Sequence, residues 1–185
     1  VILGVVNARL GSRRLPAKSV LPMGSTTMVG YVLCTMEESD VDQAIVCTPD
    51  DDLTRFVCGT AIVWPGERDL TGELRNAAKI CDADHIVRVT ADCPFVTSTI
   101  INHVIKEHLE SGAEYTYNHH DSLPSSTKEG IDVEVVTVQA LEKMRGKEHL
   151  YNGEDLRIHR VDMEEEREVF SVNTLEEYLK AFKEL

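Results

Sequence analysis

The chain has 185 residues, enough for one domain with a sizeable core, and carries 19 Lys and Arg against 32 Asp and Glu for a formal net charge of −13. That balance argues against non-specific binding to nucleic acid or to an anionic membrane, both of which need a basic surface. No apolar run approaches the ~20 residues of a membrane-spanning helix.

The charge is unevenly spread. The first acid is Glu37, so residues 1–36, with Arg9, Arg13, Arg14 and Lys18, stand at +4 and leave −17 on residues 37–185. Five cysteines (Cys34, Cys47, Cys58, Cys81 and Cys93) form neither an even set nor a C-x-x-C pair. They predict no disulfide framework and no zinc site, and read as small apolar residues of a reduced interior. Val1 opens directly into a strand pattern without signal-peptide features. The expected location is the cytoplasm.

In chain order, residues 1–6 predict a buried strand and residues 8–26 a long loop. Met28, Val29, Val32, Leu33 and Met36 recur at helical spacing behind a Ser25 or Thr26 cap. Residues 44–47 form a short strand, and Pro49 opens a short helix with Asp50, Asp51 and Asp52 in its first turn. A strand over 60–64 and a helix over 69–81, weakened by Gly72, follow. Residues 85–90 are the next strand, and Ile100, Ile101, Val104, Ile105, His108 and Leu109 mark an amphipathic helix. Residues 119–130 read as a polar loop, 131–136 as a half-buried strand alternating apolar and acidic, and 138–144 as a short helix. Strands over 156–161 and 168–172 and a helix over 176–185 close the chain. Residues 119–172 stand out as an irregular portion within a single domain spanning 1–185.

Strands alternating with helices predict an α/β fold with a mainly parallel sheet covered on both faces. Ligands bind beyond the carboxyl ends of such strands. That places the basic loop 9–18 and Ala91-Asp92-Cys93-Pro94 at one mouth. A Gly-containing cationic loop after a strand is a common phosphate cradle. A carboxylate opposite it suggests Mg²⁺-assisted phosphoryl chemistry, with Asp92 the best ligand. For a second oxygen ligand, Asp132, Glu134, Asp162 and Asn173 all sit on or beside late strands, and periodicity does not choose among them. His119 and His120, adjacent on extended chain, point to opposite faces and do not share one ion. Cys93 is discounted as a nucleophile because neighbouring Asp92 suppresses its thiolate. Arg14 and Lys18 are expected to be exposed.

Ala8-Arg9-Leu10-Gly11-Ser12-Arg13-Arg14-Leu15-Pro16-Ala17-Lys18 resembles the A-R-x-G-S-x-R-L-P-x-K signature of the sugar-acid cytidylyltransferases, the CMP-KDO synthetase and acylneuraminate cytidylyltransferase group. Val87 to Pro94 (VRVTADCP) resembles V-R-I-T-G-D-C-P, and Gly130 to Val135 (GIDVEV) resembles G-L-D-V-E-V. Lys147-Glu148-His149 resembles R-E-H, and Val172 to Glu177 (VNTLEE) resembles V-D-T-P-E-D. The nearest branch is that of spore-coat polysaccharide biosynthesis.

The resemblance implies a three-layer nucleotide-diphospho-sugar transferase fold. It also implies transfer of CMP from CTP to a sugar acid with release of pyrophosphate, Mg²⁺ as cofactor and a homodimer. Arg9, Ser12, Arg14 and Lys18 carry over as triphosphate contacts, with Ala8, Gly11 and Arg88 beside them; Arg13 joins on charge alone. Arg14, Lys18 and Asp92 are the expected catalytic residues, Asp92 and Asn173 the metal ligands, and Asp132, Glu134 and His149 the sugar contacts, the last three within the irregular portion 119–172 that is expected to serve sugar binding and dimerisation. Alternative functions are transfer from another nucleotide or to a sugar phosphate, or a non-catalytic nucleotide-sugar-binding module. The chain departs from the pattern at Asn173 (for Asp), at Gly72-Glu73 (for Asp-Arg), at Ala17 and Ala91 (for Gly), and at Leu150-Tyr151. The segments after Cys58 and around 164–166 are short against the family.

Overall fold

The computed structural model describes residues 1–57, 59–64 and 69–185. Cys58 lies outside them. Seven strands form one sheet in the order β5-β4-β1-β6-β8-β7-β9. They are β1 (Ile2–Asn7), β4 (Gln43–Thr48), β5 (Ala61–Val63), β6 (His85–Thr90), β7 (Tyr115–Tyr117), β8 (Glu134–Thr137) and β9 (Ile158–Arg160). β5, β4, β1 and β6 pair in parallel, β8 runs antiparallel to both β6 and β7, and β7 pairs in parallel with β9. A small separate hairpin, β2 (Pro22–Met23) with β3 (Thr26–Thr27), interrupts what the sequence reads as one loop.

Side chains alternate across the sheet and feed two cores. Val6, Val46, Val87 and Val89 face a layer containing α1 (Met28–Glu37), α3 (Ser98–Ser111) and α5 (Leu175–Glu184). Leu3, Val5, Ile45, Ile86 and Val136 face α2 (Leu70–Cys81) and α4 (Val138–Leu141) on the other side. This is the three-layer α/β architecture expected from the sequence. With few aromatics, its cores are built from Val, Ile, Leu, Met and Ala.

The caps explain the helix starts. Thr27, not Ser25 or Thr26, caps α1 by accepting the Gly30 N–H. Asp69 caps α2 through the Gly72 N–H at 3.1 Å, and a Cβ on Gly72 would lie 2.3 Å from the Asp69 carboxylate. The glycine that weakens this helix by propensity is therefore what leaves room for its cap. Thr174 and Glu177 form a complete capping box on α5.

Four expectations change. The acidic segment after Pro49 is a 3-10 helix, Asp51–Phe56. Of the predicted half-buried strand 131–136 only the end is strand, as part of β8 (Glu134–Thr137), and its Glu134 is only 5% exposed, with Arg88 and Tyr115 on its carboxylate. α4 ends at Leu141, where Arg75 takes the carbonyls of Leu141 and Met144. Residues 168–172 are no strand: the segment runs past the end of β6 pinned by the Val172 N–H on the Asp92 carbonyl at 2.8 Å, with Phe170 against Phe95. β7 goes unpredicted, being three residues squeezed between a helix and a polar loop.

Candidate active site

The carboxyl edge of the sheet opens into a cleft of about 890 Å³, the usual size of a small-molecule site. β1 and β6 are neighbours in the sheet although β4 and β5 intervene in sequence, so their loops diverge here and leave a crevice. The expected catalytic, nucleotide, metal and sugar residues all line this cleft; of the four candidate second oxygen ligands only Asp162 does not.

The loop after β1 is shaped by backbone and by one acid. The Asp50 carboxylate accepts the Leu10 N–H at 2.6 Å, and the Leu10 carbonyl accepts from Ser12 and Ala17 N–H groups at 2.9 and 3.0 Å. Ala17 takes a left-handed conformation at φ 55, a region that favours glycine. Arg9, Arg13 and Arg14 are left exposed on this loop, with no ion pair among the described residues. They are free to meet an anion.

Lys18 differs from expectation. It is not an exposed loop residue but 9% exposed, and its ammonium is fully engaged. Nζ donates to Asp92 Oδ2 at 2.5 Å, to the Val172 carbonyl at 2.9 Å and to Asn173 Oδ1 at 2.9 Å. These oxygens come from the loop just after β6 and from the adjacent residues Val172 and Asn173. Three oxygens thus converge on one positive charge, and two belong to the expected metal ligands. Of the four candidate partners for Asp92, the geometry brings Asn173 to this point. Asp132 and Glu134 line the wall. Asp162 pairs instead with Arg160 at 2.8 Å and Ser126 at 2.9 Å, and does not line the cleft.

The donor set fits a hard cation. Carboxylate, amide and carbonyl oxygens suit Mg²⁺, which keeps several waters and takes one or two protein oxygens plus substrate phosphates. Among the described residues no group of three or more His, Cys, Asp or Glu is arranged as a closed metal cage.

The floor of the cleft is a buried polar network. Arg88 Nε donates to Asn7 Oδ1 at 3.0 Å, and its Nη1 donates to Glu134 Oε2. The Tyr115 hydroxyl donates to the other Glu134 oxygen. Burial works against the Arg88 charge, but Glu134 more than restores it and holds the guanidinium above its usual range. Burial, reinforced by Glu134, pushes the Tyr115 hydroxyl well up. Arg88 and Glu134 are thus paired with each other, and their polar ends face the network as well as the cleft. Glu73, from the start of α2, is 5% exposed and within 3.5 Å of Asn7 Nδ2 on the same floor.

On the far side, Asp132 Oδ1 accepts the Gly130 N–H at 3.0 Å, and burial raises its pKa to about 6. Burial, then Asp132 and Asp92, push the Cys93 thiol well up, which fits its dismissal as a nucleophile. His119 Nδ1 bonds the Thr127 carbonyl at 2.8 Å, while the His120 ring lies 6.0 Å from that of His149. His120 escapes sequence reasoning. Recognising Tyr115-Thr116-Tyr117 as a strand would have put it at a carboxyl strand end, where ligands bind.

A family model described as "Cytidylyltransferase" matches residues 3–181. The chain belongs to the cytidylyltransferase family. It is 28% identical over 127 residues to the spore coat polysaccharide biosynthesis protein SpsF of Bacillus subtilis, covering 63% of this chain and 53% of that protein. It is 33% identical over 113 residues to a 3-deoxy-manno-octulosonate cytidylyltransferase of Trichlorobacter lovleyi, covering 58% of this chain and 45% of the relative. The matched regions thus span about half the length of these curated relatives. Among solved structures, a cytidylyltransferase from Leptospira borgpetersenii superposes with a TM-score of 0.82 at 27% identity, over 96% of this chain and 83% of the other. The CTP complex of CMP:2-keto-3-deoxy-manno-octonic acid synthetase shares the fold, with a TM-score of 0.72 at 16% identity over 100% of this chain and 99% of the other. Among the described residues, no helix of this family member is long and apolar enough to cross a membrane.

Proposed function

We propose that this cytidylyltransferase-family chain transfers CMP from CTP to a hydroxyl of a sugar acid, with Mg²⁺, in the synthesis of a surface polysaccharide. The observation that carries the reading is the Lys18 ammonium held between Asp92 and Asn173 beneath three exposed arginines. A fixed cation point beside exposed cations is what a triphosphate with its metal needs. The names of the SpsF and 3-deoxy-manno-octulosonate cytidylyltransferase relatives support the acceptor class and the pathway.

In this reading the acceptor hydroxyl attacks the α-phosphorus and gives up its proton to solvent, the bond to the β-phosphate oxygen breaks, and pyrophosphate leaves with the electron pair. Arg9, Arg13 and Arg14 clamp the triphosphate and Ser12 donates to it. Lys18 leaves its three oxygens to meet the phosphates, and Asp92 and Asn173 would then hold Mg²⁺. When bound, Mg²⁺ neutralises charge on the phosphate oxygens. Arg88 and Glu134 fix the floor, so the protein's work is positioning and charge neutralisation. The two-copy assembly implied by the family resemblance belongs to the same proposal and is tested by sedimentation velocity.

A non-catalytic nucleotide-binding module is the second reading, favoured by one observation: the oxygen of Asn173 at the cation point carries no charge. Pyrophosphate release with each of the four nucleoside triphosphates against a panel of sugar acids decides between the two. Release with CTP alone is the expected result. Nucleotide binding without release under any pairing would establish the module instead.

A further inference from the structure

β1 and β4 lie side by side and parallel, and their ladder runs on past the strands. The Ala8 N–H, one residue beyond β1, donates to the Cys47 carbonyl at 3.0 Å. Two residues further the Leu10 N–H points the same way, as the period of extended chain requires. β4 has by then ended at Thr48, and the acceptor is a side chain: Asp50 Oδ2 takes the Leu10 N–H at 2.6 Å. Asp50 is itself held, its N–H donating to Oγ1 of the fully buried Thr48 at 3.0 Å.

Leu10 is the pivot of the basic loop. Its side chain packs on the core, and its carbonyl accepts from both Ser12 and Ala17. The exposed Arg13 and Arg14 lie on the stretch that these two bonds close. An acid at this place needs a reason, because Asp50 lines the same cleft as the arginines and its charge opposes any anion that enters. The 3-10 helix Asp51–Phe56 supplies none: Asp50 stands at its N-cap, yet among the described residues its side chain makes no capping bond there. What the carboxylate does supply is a charge-assisted bond to Leu10, roughly twice as strong as one between neutral groups.

We propose that Asp50 is a positioning residue for the polyphosphate. Through the Leu10 N–H it sets the loop that presents Arg13 and Arg14, and the order it gives that loop outweighs the repulsion of its own charge. This role rests on the cytidylyl-transfer reading only for naming the anion as part of a nucleotide.

Two variants separate the opposing effects, because both remove the same charge. Asp50→Asn keeps an oxygen for the Leu10 N–H, and Asp50→Ala does not. The probe is inorganic pyrophosphate in Mg²⁺ buffer, titrated calorimetrically into the full chain. Asp50→Asn should bind it as tightly as wild type or a few-fold more tightly, since one negative charge has left the cleft. Asp50→Ala should bind it about tenfold more weakly than Asp50→Asn, the scale of a lost hydrogen bond to an ordered loop. Hydrogen exchange of the Leu10 amide in free wild type needs no variant and should show protection before any ligand is added.

Equal pyrophosphate affinity in the two variants would mean that only the charge matters, and overturns the proposal. So does a wild type that binds no pyrophosphate, or a Leu10 amide that exchanges as fast as an open loop. Pyrophosphate binding that follows the expected pattern while no nucleotide supports pyrophosphate release would defeat the cytidylyl reading and leave the role of Asp50 standing. Release from CTP with the two variants alike would do the reverse.

Discussion

Asn173→Asp restores the second carboxylate of the family pattern at a point whose geometry is defined. The Lys18 ammonium marks where a cation sits, 2.5 Å from Asp92 Oδ2 and 2.9 Å from Asn173 Oδ1. A new negative charge attracts the ammonium once and a divalent ion twice, so the divalent ion gains by one charge pair. At roughly 2.9 Å, with an effective dielectric of about 40 for a cleft open to water, one pair is worth about 3 kcal/mol. That is a roughly hundredfold rise in divalent affinity. Lys18→Met tests the same point from the other direction, because it removes the cation that competes for the two oxygens. Titration of Mn²⁺ followed by water-proton relaxation, without nucleotide and with a non-hydrolysable CTP analogue, measures both. Wild type should bind the ion weakly alone and well with the nucleotide, whereas both variants should bind it without nucleotide. Unchanged ion affinity in both variants would refute the argument and leave Lys18 as a structural tie between β6 and the 168–172 segment.

Asp92→Asn leaves no carboxylate at the cation point and should nearly abolish pyrophosphate release; an unaffected rate removes Asp92 from the chemistry. Arg14→Ala should lower kcat/KM by about 2–4 kcal/mol of transition-state stabilisation with little change in thermal stability, whereas Lys18→Met, being buried, should lower both. Gly130 has φ +103, and a Cβ there would lie 2.3–2.6 Å from the Phe170 backbone; Gly130→Ala should cost about 3 kcal/mol or more in urea unfolding. Burial raises the Asp132 pKa to about 6, so the folded state binds a proton that the unfolded state releases near pH 4. Stability from this group is therefore present at low pH and lost as the pH rises through 4 to 6. Asp132→Asn should stabilise the protein on the order of 2–3 kcal/mol at pH 7.5 and about half that at pH 5, by urea unfolding at each pH.

Much of this protein was legible in one dimension because its signals are local. The β1 strand, its acid-free loop and the strand 85–90 just before Asp92 follow from apolar runs and charge sign, which need no tertiary information. The Asp69 and Thr174 caps are also short-range, each side chain reaching an N–H three residues on, but apolar spacing alone identifies neither of them. The motif order was enough to indicate the family and the cleft lining.

What the tertiary structure decided are the long-range pairings. Lys18 meets Asp92 across 74 positions and Asn173 across 155, so its burial and its competition with a cation are invisible to any window of sequence. The alternation at 131–136 reads as a solvent-facing acid; only Arg88 and Tyr115, from strands far away in the chain, make a buried Glu134 tolerable. β7 is too short to show a period, so its position, and with it the place of His120 in the cleft lining, emerges only once the sheet is assembled. Periodicity reports which face a residue occupies. It carries no information on which distant residue shares that face, and the chemistry of this cleft depends on those partners.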